Sequence, residues 1–168
     1  TYVAALLGQA RPRLMLLTDI GGDPDDQQSM IRLMVYANEF NIEGLVATAS
    51  GIPGGLKTNV TRPDLIREIV LAYGAVRTNL VRHARGWPET HALLQCIKSG
   101  NPHRGRDNIG DEHDTEGSGW VVEKVDAGKP EHPLNIVIWG GQTDLAQALW
   151  RVRQERGTAG LARFVTEF

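Results

Sequence analysis

Four aspartates fall within eight positions of this chain: Asp19, Asp23, Asp25 and Asp26, in the stretch LLTDIGGDPDDQQSM (16–30). Carboxylates held that close repel one another, and without a counter-ion at least one pKa must climb. Two arrangements relieve the conflict. Asp25 or Asp26 can sit at a helix N-terminus, where free N–H groups and the dipole favour negative charge. Alternatively, several carboxylates can converge on a hard cation such as Ca²⁺ or Mg²⁺, which prefers oxygen ligands. Gly21 and Gly22 permit a sharp turn between the two flanking elements, and Pro24 stiffens the return. A helix cap accounts for one aspartate and a cation for several; spacing alone leaves both open.

Other patterns carry less chemistry. An EF-hand loop starting at Asp19 would need Gly and Glu where the chain has Pro24 and Met30. GIPGGLKT (51–58) lacks the glycine that a phosphate-binding P-loop requires before its lysine, since that position is Leu56. Cys96 sits in the apolar, helix-patterned HALLQCIKSG with no base beside it, which predicts a buried, inert thiol. As a single cysteine it forms no internal disulfide and leaves the redox compartment open.

Three short apolar runs read as strands that must carry these groups: 13–19, 42–50 and 134–140. They are continuous rather than alternating, as in a parallel sheet covered on both faces. Helical patterns lie between and after them, in DQQSMIRLMVYANEF (26–40), TRPDLIREIVLAYGAV (61–76) and QTDLAQALWRVRQERG (142–157), the last stopped by Gly157. The alternation predicts an α/β domain: an open, mostly parallel sheet with helices on both faces. Asp19 then stands at the carboxyl end of the first strand, where such sheets bind ligands. Residues 98–119 hold five glycines and almost nothing apolar, which predicts a long functional or mobile loop.

At 168 residues the chain is one domain with a real core, and its ends read as those of an N-terminal piece of something longer. The formal net charge of −2 argues against a nucleic-acid partner. No run approaches the ~20 apolar residues of a membrane span. YVAALLGQA (2–10) has the look of a secretory leader's tail, though it equally fits a scrap of a first helix; the location stays open, with secreted or periplasmic slightly favoured.

The aspartate motif also carries a resemblance. TDIGGDPDDQQSM is similar to the D-T-D-I-G-x-D-x-D-D signature of inosine-uridine-type nucleoside hydrolases. With RLMVYANEFNIEGLVATAS, DTEGSGWVV and VIWGGQTDLAQAL, it resembles most closely the nucleoside hydrolase-like domain of cellulose-binding Sde182-type proteins. The resemblance implies that Asp19 binds Ca²⁺ (Mg²⁺ being the alternative) and activates water. It makes Asp25, Asp26 and the Trp139 backbone carbonyl further metal ligands, with Asp25 also near the ribose hydroxyls. Glu167 matches a late acidic substrate contact. Glu116 in TEGSGW is a candidate ligand contact or simply a helix start, and His113 is the one candidate acid for the leaving base. This chain departs from the signature at Leu17, where the family has Asp, at Gly51, where it has a ribose-binding Asn, and at Asp144, where it has Asn. The family's last aspartate ligand has no counterpart.

Two functions are consistent with these residues. One is a metal-dependent hydrolase of N-glycosidic bonds, whose oxocarbenium-like transition state benefits from nearby negative charge. The other is a carbohydrate- or cellulose-binding module that keeps the scaffold with little or no catalysis, its tryptophans (Trp87, Trp120, Trp139, Trp150) being candidates to stack on sugar. Either way the partner is a small nucleoside or carbohydrate, and a homo-oligomer is left open.

Overall fold

The computed structural model describes residues 11–49 and 59–168. The leader-like segment and the Gly51 region therefore lie outside the described residues. Four strands, β1 (Arg13–Thr18), β2 (Asn41–Ala47), β3 (Ile97–Ser99) and β4 (Leu134–Ile138), form one sheet in the order β3-β2-β1-β4. Every neighbouring pair is parallel. The helices are α1 (Asp25–Met34), α2 (Pro63–Leu80), α3 (Thr90–Gln95), α4 (Glu116–Asp126) and α5 (Thr143–Phe164), with 3₁₀ turns at Ala37–Glu39 and Arg106–Asn108.

The continuous apolar run of β1 splits between two cores. Leu14 and Leu16 pack with Met30 and Met34 of α1, Ile66, Val70 and Tyr73 of α2 and Leu93 of α3. Met15 and Leu17 face the other way, onto Val121, Val122 and Val125 of α4 and Ala148 and Val152 of α5. Alternate side chains of a strand point to opposite faces, so a central strand covered on both sides must be apolar throughout. The structure is thus the expected α/β sheet with helices on both faces, and here it is wholly parallel.

Several boundaries differ from expectation. The first helix stops at Met34 and a 3₁₀ turn comes after it, while α2 runs on to Leu80. HALLQCIKSG is not one helix: α3 ends at Gln95 and residues 97–99 pair as a short edge strand with β2. Gly157 does break helical geometry (φ 68°, ψ −176°), but helical structure resumes and continues to Phe164. The polar segment after β3 is no free loop. The Gln147 side chain accepts from the Gly110 N–H (2.8 Å) and donates to the Gly110 carbonyl (3.0 Å) and Asp114 (2.7 Å). Cys96 is half-buried rather than fully buried; burial still raises its thiol pKa, and its Sγ lies 3.5 Å from the Ile42 carbonyl. No described helix is long and apolar enough to cross a membrane.

Candidate functional site

The end of β1 turns through Asp19–Gly22, closed by a bond from the Gly22 N–H to the Asp19 carbonyl (3.0 Å). Gly21 has φ +88°, a left-handed conformation that side chains resist. The turn delivers the chain to Pro24 and then α1. No side chain caps α1; Asp25 and Asp26 occupy its first turn. Asp25 stays exposed and accepts the Asp26 N–H (2.8 Å). Asp26 instead turns inward, 5% exposed, and accepts a 2.5 Å hydrogen bond from the Thr18 hydroxyl. A helix cap therefore does not account for Asp26.

Asp19 is 7% exposed and lies against β4's continuation. A Cβ placed on Gly140 would fall 2.3 Å from its carboxyl, so only glycine lets the two elements approach. The N–H of Trp139 extends the ladder to the Leu17 carbonyl (2.9 Å), and Thr48 donates to the Gly140 carbonyl (2.6 Å), fixing β1, β2 and β4 around the carboxylate.

The four aspartates share one electrostatic neighbourhood. Burial pushes the Asp26 pKa up to about 6, the Thr18 hydroxyl opposes this, and the charges of Asp19 and Asp25 add to it. Asp23 and Asp25 lie close enough to share one proton, which Asp23 would hold, so the pKa of the first is raised and that of the second lowered. Among the described residues no three His, Cys, Asp or Glu side chains converge as a metal cage. The fit to a hard cation rests on two buried carboxylates in mutual conflict at one strand end. A divalent ion would relieve that conflict, with oxygens from elsewhere filling the remaining positions.

The other candidate residues are spread more widely. Trp139 comes directly after β4, its ring half-buried against the α1–α2 core. Glu116 opens α4, pairs with Lys98 (3.2 Å) and accepts the Ser99 N–H (3.2 Å), which keeps it at the end of β3, about 10 Å across two strand spacings from β1. His113 lies in the segment above the same carboxyl edge, its N–H on the Gly110 carbonyl (3.3 Å). No hydrogen bond joins its ring to the aspartates among the described residues. Glu167 is at the opposite edge: its carbonyl accepts the N–H of Leu134, the first residue of β4, and its carboxylate lies near Arg13. The fold thus sets Asp19 and Asp26 side by side at the end of β1, leaves Asp25 exposed beside them, puts Trp139 at the adjoining end of β4 and keeps Glu167 away.

None of the four tryptophans is exposed. Trp120 is covered by Lys98 and Lys124 at 4.3 and 4.0 Å and donates to the Glu43 carbonyl (2.8 Å). Thr18, Thr48 and Gly140 are the site residues that sequence reasoning missed. The one signal was position, since Thr18 precedes Asp19 and Gly140 closes the last apolar run.

Comparison with known proteins agrees with this fold. The chain aligns with a solved nucleoside hydrolase-related hypothetical protein from Saccharophagus degradans that is associated with carbohydrate metabolism. The TM-score is 0.86 at 33% identity, over 94% of this chain and 37% of that one. This chain therefore spans little more than a third of that protein's length. No curated protein matches it. Residues 13–168 match the family described as cellulose-binding Sde182, nucleoside hydrolase-like domain, and the chain belongs to that family.

Proposed function

We propose that this domain hydrolyses the N-glycosidic bond of a ribosyl substrate with the help of a divalent cation held at Asp19, Asp25 and Asp26. The observation that supports this reading is the pair of buried carboxylates, Asp19 and Asp26, at the carboxyl end of the central strand. Ca²⁺, or Mg²⁺, held also by the Trp139 carbonyl, would supply positive charge to orient sugar hydroxyls and to acidify water. The Asp19 carboxylate then accepts a proton from the attacking water, and the surrounding negative charge favours the oxocarbenium-like transition state. Asp25, exposed at the rim, meets the sugar hydroxyls. His113, on the segment over the same edge, is assigned to protonate the leaving base.

A second reading, carbohydrate binding with little or no catalysis, is favoured by the cellulose-binding description of the family and by Leu17 standing where a family aspartate is expected. Its ligand meets the same strand ends.

One experiment separates these readings. The protein is titrated with Ca²⁺ by calorimetry, then incubated with purine and pyrimidine nucleosides, with pull-down on insoluble cellulose in parallel. Hydrolysis predicts base release that falls at least about a hundredfold in Asp19→Ala. Asp26→Asn should lose Ca²⁺ binding yet unfold no earlier than wild type in chelator, because it removes a buried charge conflict. Absence of base release alongside depletion by cellulose moves the function to binding. Failure of Ca²⁺ to bind overturns the metal-dependent reading.

A further inference from the structure

A pocket of about 420 Å³ opens on the same carboxyl edge, between the segment after β3 and the first turn of α5. Its chemistry is opposite to that of the aspartates. It is lined by Arg104, Arg106, Ile109, Gly141, Gln142 and Thr143. A helix start leaves its first N–H groups without intrahelical acceptors and carries a partial positive charge. At α5 the Gln142 and Thr143 N–H groups meet no acceptor among the described residues.

A second, independent feature is the Thr143 side chain. The residue is 5% exposed, yet its hydroxyl makes no hydrogen bond to any described residue while lining the pocket. The hydroxyl oxygen is not sealed from solvent, so it opens into the pocket it lines, where a ligand oxygen can take the place of water. Arg106 is the third. Like Arg32, Arg67, Arg82 and Arg85 it is exposed with no acidic partner among the described residues, but of these only Arg106 borders the pocket.

The arginine-bearing segment is fixed in place. The Asn108 side chain donates to the Arg104 carbonyl (2.9 Å), the Asn101 side chain donates to the Asn108 carbonyl (3.2 Å), and the Asn101 N–H donates to buried Asp144 (2.9 Å). Gly141, with φ +78°, is the residue next to Gly140, against which Asp19 packs, so the pocket begins one residue from the acidic site.

From these features we propose an oxyanion subsite, formed by the start of α5, the Thr143 hydroxyl and Arg106. It takes the phosphate or carboxylate group of an anionic sugar or nucleotide. That the anion belongs to the same ligand as the ring at Asp19 rests on the function proposed above; the anion site itself does not.

The test is calorimetric titration of the intact protein with inorganic phosphate in calcium-free buffer, repeated with ribose 5-phosphate, glucuronate and neutral ribose. Phosphate is expected to bind in the millimolar range. Arg106→Gln should weaken it about five- to tenfold, with Arg106→Lys recovering part. Thr143→Val should weaken it by a similar factor. Ribose 5-phosphate tighter than phosphate identifies a phosphate ester as the source, and glucuronate tighter than ribose identifies a carboxylate. Absence of phosphate binding, or equal binding by wild type and Arg106→Gln, overturns the subsite. Ca²⁺ titration of the same samples keeps the two readings apart: loss of either binding alone removes only the reading built on it.

Discussion

At the residue scale, two buried aspartates on one edge do different work. Asp26 is in conflict with its neighbours and suits a cation. Asp144, wholly buried, is satisfied by protein: it accepts the Asn101 N–H at 2.9 and 3.1 Å and the Thr115 hydroxyl at 2.6 Å. Asp144 also explains Gly100, since a Cβ there would lie 2.2 Å from its carboxylate. Burial raises its pKa above the ordinary 3.8. A carboxyl group whose pKa is raised on folding binds more protons folded than unfolded between the two values. Stability must then fall as pH rises through that window. Asp144→Asn keeps an acceptor for Asn101 and loses the charge. Its stability should therefore decline less steeply between about pH 4 and 7 than that of wild type, the remaining slope coming from Asp26. Asp144→Ala strands both donors and should cost about 2–4 kcal/mol. Urea unfolding across that pH range measures both, and equal slopes for wild type and Asp144→Asn would refute the assignment.

At the scale of elements, α5 is the informative case. It starts beneath the proposed oxyanion subsite, and Gly157 interrupts it before Gly160 and Phe164 return to the core. A Cβ on Gly157 would meet nothing within 4 Å, so a side chain costs only backbone strain. At φ 68° and ψ −176° that strain is about 1–3 kcal/mol. Gly157→Ala should destabilise by that amount in denaturant titrations without changing phosphate binding at the helix start. The break was legible in the sequence, though the resumption of helix after it was not. Glycine marks a stop, whereas the burial of Gly160 and Phe164 decides that the helix restarts. Likewise β1, β2 and β4 were legible because strands covered on both faces need unbroken apolar runs. β3 was not: three residues, IKS, with one apolar side chain, carry no period. The aspartate cluster announced the site by composition. Which carboxylate turns inward depended on the Thr18 hydroxyl, a partner eight residues away that no spacing rule singles out.

Across the whole molecule the sheet has a charged clamp at one end and the proposed site at the other. The amino edge is clamped by Arg13, which donates to Glu43 (2.8 and 2.7 Å), to the Lys124 carbonyl (2.5 Å) and to the His132 carbonyl (3.3 Å). It thereby ties β1 and β2 to the end of α4 and the approach to β4. The pair is largely buried, at 12% and 17% side-chain exposure, so its Coulomb attraction is only partly screened. Removing one partner leaves the other charge uncompensated. Arg13→Met should cost about 2–4 kcal/mol, and adding Glu43→Leu should return part of that loss. The carboxyl edge lies about 20 Å away along the six residues of β1, beyond the reach of a screened charge. Arg13→Met should therefore lower the urea midpoint while leaving Ca²⁺ and phosphate affinities unchanged in the folded protein. A shift in either affinity would mean that the two ends are coupled through the strands. The acidic hook and the oxyanion subsite would then be properties of the whole sheet and not of one edge.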